Sequence, residues 1–355
     1  VALVAGLVTL IPSSAMATFP GPDGRIAFTD FMSGQVYAAN PDGSGLVNLS
    51  HTPDGHFSDG ADWSADGTHV AFSSDRSGEP RLYEVNADGT GRHRIAPERS
   101  GFLDFTPRYV RGGGFVYSRC QPGDGVCAIW AMDADGSNRH ALTPFEHSKA
   151  NEAVDISPDV SPNGKRIAFT RFFSGGILSQ VYVMRIDGTH PHAITKPSLE
   201  AGDPSWSPDG SRIVFVTNTQ RLNSHVWTMH ADGTGLRRLT TSGFPNNDIS
   251  VSYSPTGSKI AFASDRRYDD LCCLDLFVMK ADGTAEHMVD TGLKGVVNVD
   301  WGPAPLTSTS TAAPTSSGTV PSSGGLALCR SEPAPALPPA CQEGYVDSQP
   351  STRRP

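Results

Sequence analysis

The chain has 355 residues, 37% of them hydrophobic and only 18% charged, with 37 Gly and 28 Pro. Many turn formers at low charge favour a large β domain of short strands over a helical one. The net charge is −9 with no run of Lys or Arg, which excludes a nucleic-acid surface, because phosphate neutralisation needs a basic patch.

The chain opens on an apolar run, Val1 to Ile11, followed by Ser13, Ser14, Ala15, Met16 and Ala17. Ala15-Met16-Ala17 fits the small-x-small rule for signal-peptide cleavage, so residues 1–17 are predicted to be an export signal cut after Ala17. No basic segment and no initiator Met precede the run, so the signal is expected to be truncated at its start. The run is too short to span a bilayer comfortably. No later segment is apolar enough to cross one.

Residues 18–305 are dominated by internal repetition, the first thing to seek in a chain of this length. Asp-Gly recurs at Asp42, Asp88, Asp135, Asp187, Asp232 and Asp282, at spacings of 46, 47, 52, 45 and 50 residues. Six residues before each Asp stands an aliphatic–aromatic pair: Val36-Tyr37, Leu82-Tyr83, Ile129-Trp130, Val181-Tyr182, Val226-Trp227 and Leu276-Phe277. Seven residues after each Asp stands an apolar residue: Leu49, Ile95, Leu142, Ile194, Leu239 and Val289. A second signature precedes these. It reads aromatic-Ser-Pro/Ala-Asp-Gly, then an aliphatic pair and Phe, as at Trp63 to Phe72 and Trp206 to Phe215, with variants at Val160 to Phe169 and Tyr253 to Phe262.

Each unit thus carries two Gly-containing turns between β-branched and aromatic stretches of period two. That predicts four short antiparallel strands per unit, one propeller blade. The first unit starts late, at Pro22-Asp23-Gly24. The piece it lacks, Val297 to Pro303, stands at the other end of the repeat region. The predicted fold is therefore all-β: a six-bladed β-propeller of four-stranded antiparallel blades, its ring closed by a C-terminal strand that completes the first blade.

Six cysteines fit an oxidising compartment. Cys120 and Cys127 flank a turn sequence and are candidates for a disulfide across a hairpin. Cys329 and Cys341 are a second candidate pair. Cys272 and Cys273 are adjacent, and the sequence leaves open whether they pair. Residues 306–355 are rich in Ser, Thr, Pro and Ala without a strand period, and are expected to form a disordered tail.

Chemistry is sparse. The sequence has no Gly-x-Ser-x-Gly, no His-Glu-x-x-His and no phosphate-binding loop. The eleven His are scattered. One pattern stands out. A polar residue, mostly a carboxylate, recurs shortly before each signature aromatic: Asp59, Asp104, Asp155, Asp203 and Asp248, with Asn298 in the sixth unit. If these side chains face one channel mouth, their mutual repulsion calls for a cation, either a divalent metal or a basic side chain of a partner. The competing expectation is that each Asp caps its own turn or bonds the backbone of the neighbouring blade. No other cofactor is implied.

The Trp-Ser-Pro-Asp-Gly and Ile-Ala-Phe segments, the Ser-Asp-Arg turns at 74–76 and 264–266, and the strand ending in Asp-Gly-Thr/Ser resemble the WD40-like (PD40) repeats of the TolB propeller. The resemblance covers about residues 20–303 and is more specific for the repeat than for function. It implies the six-bladed architecture. It also implies a role in the cell envelope, where TolB binds a lipoprotein partner. TolB proteins carry an N-terminal α/β domain as well. About five residues separate the signal from the first blade here, so that domain is expected to be absent. The expected function is an exported protein- or peptide-binding module, periplasmic, envelope-associated or secreted, with no enzymatic activity and acting as a monomer. The alternative is a propeller hydrolase or lyase acting on a lactone or carbohydrate through a metal on the central axis.

Overall fold

The computed structural model describes residues 19–95, 101–123, 125–145, 153–173, 178–217, 223–241, 243, 246–268 and 273–305. The predicted signal, the tail with Cys329 and Cys341, and Cys272 lie outside them.

The described strands form six four-stranded antiparallel sheets. Blade 1 runs, from the axis outward, Val296–Pro303, Asp23–Asp30, Gln35–Ala39 and Val47–Asn48. The other five use consecutive strands. Their innermost strands are Ser58–Trp63 (blade 2), Leu103–Tyr109 (blade 3), Val154–Val160 (blade 4), Gly202–Trp206 (blade 5) and Asp248–Tyr253 (blade 6). The ring closes as the sequence predicts. Val296–Pro303 lies antiparallel to Asp23–Asp30, with Trp301 opposite Ile26 and Asp300 opposite Ala27. No helix among the described residues is long and apolar enough to cross a membrane.

The repeated Asp-Gly is the turn between the third and outermost strands. The side-chain oxygen of Asp88 accepts the Thr90 N–H at 2.9 Å and the Thr90 hydroxyl at 2.6 Å. Asp42, Asp187, Asp232 and Asp282 do the same with Ser44, Thr189, Thr234 and Thr284. Asp135 accepts the Ser137 N–H. Hydrogen bonds to the charged form favour it, so these carboxyls are held below their ordinary range. The glycine serves twice. It takes a positive φ, and its missing side chain admits the preceding blade. A Cβ at Gly188 would sit 2.6 Å from the Leu142 carbonyl oxygen of blade 3, and one at Gly43 only 2.1 Å from that of Asp290 in blade 6.

The outermost strand spans two or three residues in every blade. A hydroxyl extends its work. Ser50, Thr143, Thr195 and Thr240 each accept the N–H of Val36, Ile129, Val181 and Val226 on the adjacent strand. Such short edges leave little backbone to recruit another chain. In blade 3, Cys120 and Cys127 are directly opposite in the hairpin and joined by a disulfide.

The core is six cores, and each belongs to a joint between blades. One cluster sets Ala27, Val36 and Leu49 of blade 1 against Trp63, Val70 and Phe72 of blade 2. Another sets Ala168, Val181 and Val183 of blade 4 against Trp206, Ile213 and Phe215 of blade 5. The closing joint sets Ala261, Leu276 and Val289 of blade 6 against Ile26, Phe28 and Trp301 of blade 1. Each sheet thus has a small-aliphatic face and an aromatic face, and the aromatic face of one blade fills the small face of its predecessor.

Two outcomes follow from the closing joint. Deleting residues 296–305 removes the inner edge of blade 1 and should abolish cooperative thermal unfolding followed by circular dichroism. Trp301→Ala empties a fully buried site and should cost about 3–5 kcal/mol in a urea titration, the usual range for a core aromatic.

Candidate functional site

The six innermost strands surround the axis, and all six break their pleat at one place. The residue three positions before the signature aromatic, whose place Val160 takes in blade 4, has a positive φ: Gly60 (67°), Thr106 (45°), Ser157 (50°), Asp203 (48°), Ser250 (52°) and Asn298 (51°). The pairing with the second strand slips at that point in each blade. Five of the six are not glycine. Such conformations cost energy and cluster at sites the surrounding structure must enforce. The bulge re-aims the next residues.

What it aims is the residue immediately before each aromatic, or before Val160 in blade 4: Asp62, Arg108, Asp159, Ser205, Ser252 and Asp300. Four of them reach across a joint. The carboxylate of Asp300 accepts the Trp63 N–H at 2.9 Å, that of Asp62 the Tyr109 N–H at 2.7 Å, and that of Asp159 the Trp206 N–H at 2.7 Å. The Ser252 hydroxyl accepts the Trp301 N–H at 3.1 Å. Arg108 has no acceptor to offer. It donates instead to the carbonyls of Ala61 in blade 2 and Pro158 in blade 4, each at 3.1 Å, and lies 3.6 Å from Asp62.

These groups govern the axial electrostatics. Burial pushes the Asp62 carboxyl well above its ordinary range, and repulsion from Asp300 adds to it. Burial raises Asp159 to about 7, against the pull of Arg108, and raises Asp300 and Asp203 as well. Burial opposes the charge of Arg108, but Asp62, Asp300, Asp159 and Asp203 outweigh it and hold the guanidinium protonated. Two small cavities flank Arg108 along the axis. One is lined by Phe19, Asp62, Trp63, Asp159 and Asp300, among others, and the other by Thr106, Ser157, Asp203, Ser250 and Asn298. They hold about 30 and 40 Å³, room for a water molecule or an ion but not a substrate. Among the described residues, no three His, Cys, Asp or Glu side chains converge as metal ligands would.

The acids singled out in the sequence do not form one ring, because they occupy three register positions. Asp104, Asp155 and Asp248 stand at the start of their strands, buried, and pair with arginines of the same blade. Asp104 takes both arms of Arg119, at 2.7 and 2.9 Å. Asp155 takes both arms of Arg171, at 2.6 Å each. Asp248 meets Arg266 and the Ser264 hydroxyl. Each of these arginines also lies over the aromatic rings of its blade, as Arg171 does over Tyr182, 4.7 Å from the centroid. Asp59 stands one position later and accepts from the Thr29 hydroxyl and the Asn298 amide. Only Asp203 and Asn298 sit on the positive-φ position and line the axis. The side chains that meet there, Asp62, Asp159, Asp300 and Arg108, were missed. Their signal was available as the residue adjoining each signature aromatic, but in two blades it is Ser and in one Arg, so a search for recurring acids passes over it.

A family model described as PD40, TolB beta propeller domain, matches residues 115–303. The chain is 30% identical over 159 residues to the protein TolB homolog of Chlorobium luteolum, covering 45% of this chain and 33% of that protein. It is 30% identical over 193 residues to the Tol-Pal system protein TolB of Anaeromyxobacter dehalogenans, covering 50% of this chain and 40% of that protein. It therefore spans about a third to two-fifths of the length of these curated relatives. Among solved structures it is similar to TolB from Acinetobacter baumannii, with a TM-score of 0.60 at 19% identity over 79% of this chain and 67% of that one. That likeness is one of fold.

Asp159 yields a pH test. Its folded carboxyl titrates at about 7, above the ordinary value near 4 for an unfolded Asp. The folded state therefore binds the extra proton. The stability this confers is fully present below about pH 4 and is lost as pH rises through about 7. Asp159→Asn keeps an acceptor for the Trp206 amide and removes the titration. Urea denaturation from pH 5 to pH 8 should show wild-type stability falling more steeply than that of the variant. Equal slopes would mean the carboxyl is not raised.

Proposed function

This chain belongs to the PD40 TolB β-propeller family, and from that premise we propose that it is an exported binding module that recognises an envelope protein or peptide. The observation that carries the reading is the closed axis. Three carboxylates there already bond the backbone of the next blade, one guanidinium stands among them, and the two cavities beside it hold about 30 and 40 Å³. A propeller enzyme working on its axis needs an open ligand position and space for substrate. A binding module needs only a rigid frame that presents loops, which the six interlocked joints supply. The Ala15-Met16-Ala17 signature and the Cys120–Cys127 disulfide support a periplasmic, envelope-associated or secreted location. One relative is named as a Tol-Pal system protein, so an envelope protein of that system is the first partner to try.

The test is calorimetric titration of the purified propeller with the Pal-type lipoprotein of its own organism, and with other envelope proteins captured on the immobilised propeller. Saturable binding near one-to-one stoichiometry is expected, with no turnover on lactone, glycoside or ester panels, with or without added divalent metal. Metal-dependent turnover lost in Asp159→Asn would replace the binding reading with an axial enzyme.

A further inference from the structure

A larger cavity lies away from the axis, at the joint between blades 5 and 6. It holds about 340 Å³, the size of a small-ligand pocket. Arg212, Arg237 and Asp209 line it from blade 5, and Tyr253, Thr256 and Asp282 from blade 6. Arg237 donates to the carbonyls of Asp282 and Ala281, at 2.9 and 3.5 Å. Both acceptors line the same cavity, so its guanidinium stands at the wall. Burial raises the Tyr253 hydroxyl, while a hydrogen bond with Thr228 and the charges of Arg212 and Arg237 draw it down. The two guanidiniums thus stand around one buried phenol.

Arg212 is the cation that stands just before the aliphatic pair and Phe of its repeat. At the same position in other blades the cation is engaged. Arg25 donates to the Ala87 carbonyl at 3.2 Å. Arg166 lies over the Trp206 ring, 4.5 Å from its centroid. Lys259 lies 5.8 Å from the Trp301 centroid and 3.9 Å from Asp23. Opposite Arg212 the next blade offers Tyr253 in place of Trp. Among the described residues the Arg212 guanidinium makes no hydrogen bond, ion pair or ring contact. The acids of the cavity wall are not its partners. Asp209 accepts from the Ser207 hydroxyl at 2.6 Å and the Ser211 N–H at 2.9 Å, and Asp282 accepts from Thr284. The group left uncommitted is therefore a half-buried cation.

We propose that this groove takes a glutamate or aspartate carboxylate of a bound peptide, gripped by the Arg212 fork with the Arg237 charge beside it. A guanidinium matches the two oxygens of a carboxylate in one plane. A phosphate dianion fits less well. Burial opposes the Asp209 charge, but its hydrogen bonds with Ser207 and Ser211 outweigh burial and keep the carboxyl ionised. The Thr284 hydrogen bonds do the same for Asp282. Two fixed negative charges in the wall repel a dianion more than a monoanion. The inference deepens the binding-module reading above and rests on it: the partner presents an acidic segment to the joint between blades 5 and 6.

The test titrates the folded protein, 15N-labelled at arginine, with a terminally blocked tetraglutamate peptide. Its tetraglutamine counterpart and inorganic phosphate are separate probes. The Arg212 Nε–H resonance, assigned by its loss in Arg212→Lys, should shift saturably with tetraglutamate alone. The net charge of −9 gives an acidic peptide no general attraction to this chain, so saturation reports a site. Affinity should fall about tenfold in Arg212→Gln, and less in Arg212→Lys, which keeps the charge and loses the fork. Thermal melting checks that each variant folds. If Arg212→Gln does not, Arg237→Gln, at an exposed position, should weaken the same titration. No shift, equal shifts with both peptides, tighter binding of phosphate, or unchanged affinity in the folded variants overturns the carboxylate site. Envelope-protein binding that persists undiminished in Arg212→Gln, with no tetraglutamate shift, overturns the groove alone. Tetraglutamate seated on Arg212 with no envelope protein bound overturns the binding-module reading instead.

Discussion

The structure depends on a mismatch built into every blade: one face small, the other aromatic, neither able to face water. Ala27 and Leu49 need Trp63 and Phe72, and Trp63 needs a blade that comes before it. Apolar burial is proportional to area and indifferent to direction, so it would accept any stacking. Direction comes from the axial hydrogen bonds. The residue beside the signature aromatic in blades 1, 2 and 6, and beside Val160 in blade 4, accepts the backbone N–H of the next blade's aromatic, which fixes height and order while packing supplies the energy.

That arrangement explains why the middle of the molecule is acidic yet closed. Carboxylates make strong acceptors for backbone N–H groups, and three blades use them. Gathering them near one another raises their mutual repulsion, which Arg108 offsets from the one position where an acceptor is replaced by a donor. The guanidinium ties blade 3 to both neighbours through carbonyls. The axis is thus a structural girdle with an uneven charge.

The architecture was legible because its determinants are local and repeated. Asp-Gly-Thr/Ser at fixed distance from an aliphatic–aromatic pair specifies a turn by its own hydrogen bonds, with no knowledge of the rest of the chain. Ring closure was legible too, since the half-motif at Asp23-Gly24 lacks what Trp301-Gly302-Pro303 supplies. The axial chemistry was not. Asp104, Asp155 and Asp248 look like Asp203 in sequence, yet a two-residue offset from the bulge sends them to an arginine of their own blade. That bulge leaves no composition signal, because Gly, Thr, Ser, Asp and Asn all occupy it. Arg108 was hidden for a related reason: it does by donating what its counterparts do by accepting.

The glycine contact between consecutive blades carries one more consequence. Gly43 meets Asp290 across the closing joint just as Gly188 meets Leu142 across an ordinary one. The seam is therefore a property of the chain and not of the ring. The circle itself does not know where the polypeptide starts. Cutting the backbone at another surface connection, and sewing the present ends together, would leave every interblade contact in place and merely relocate the beginning of the gene.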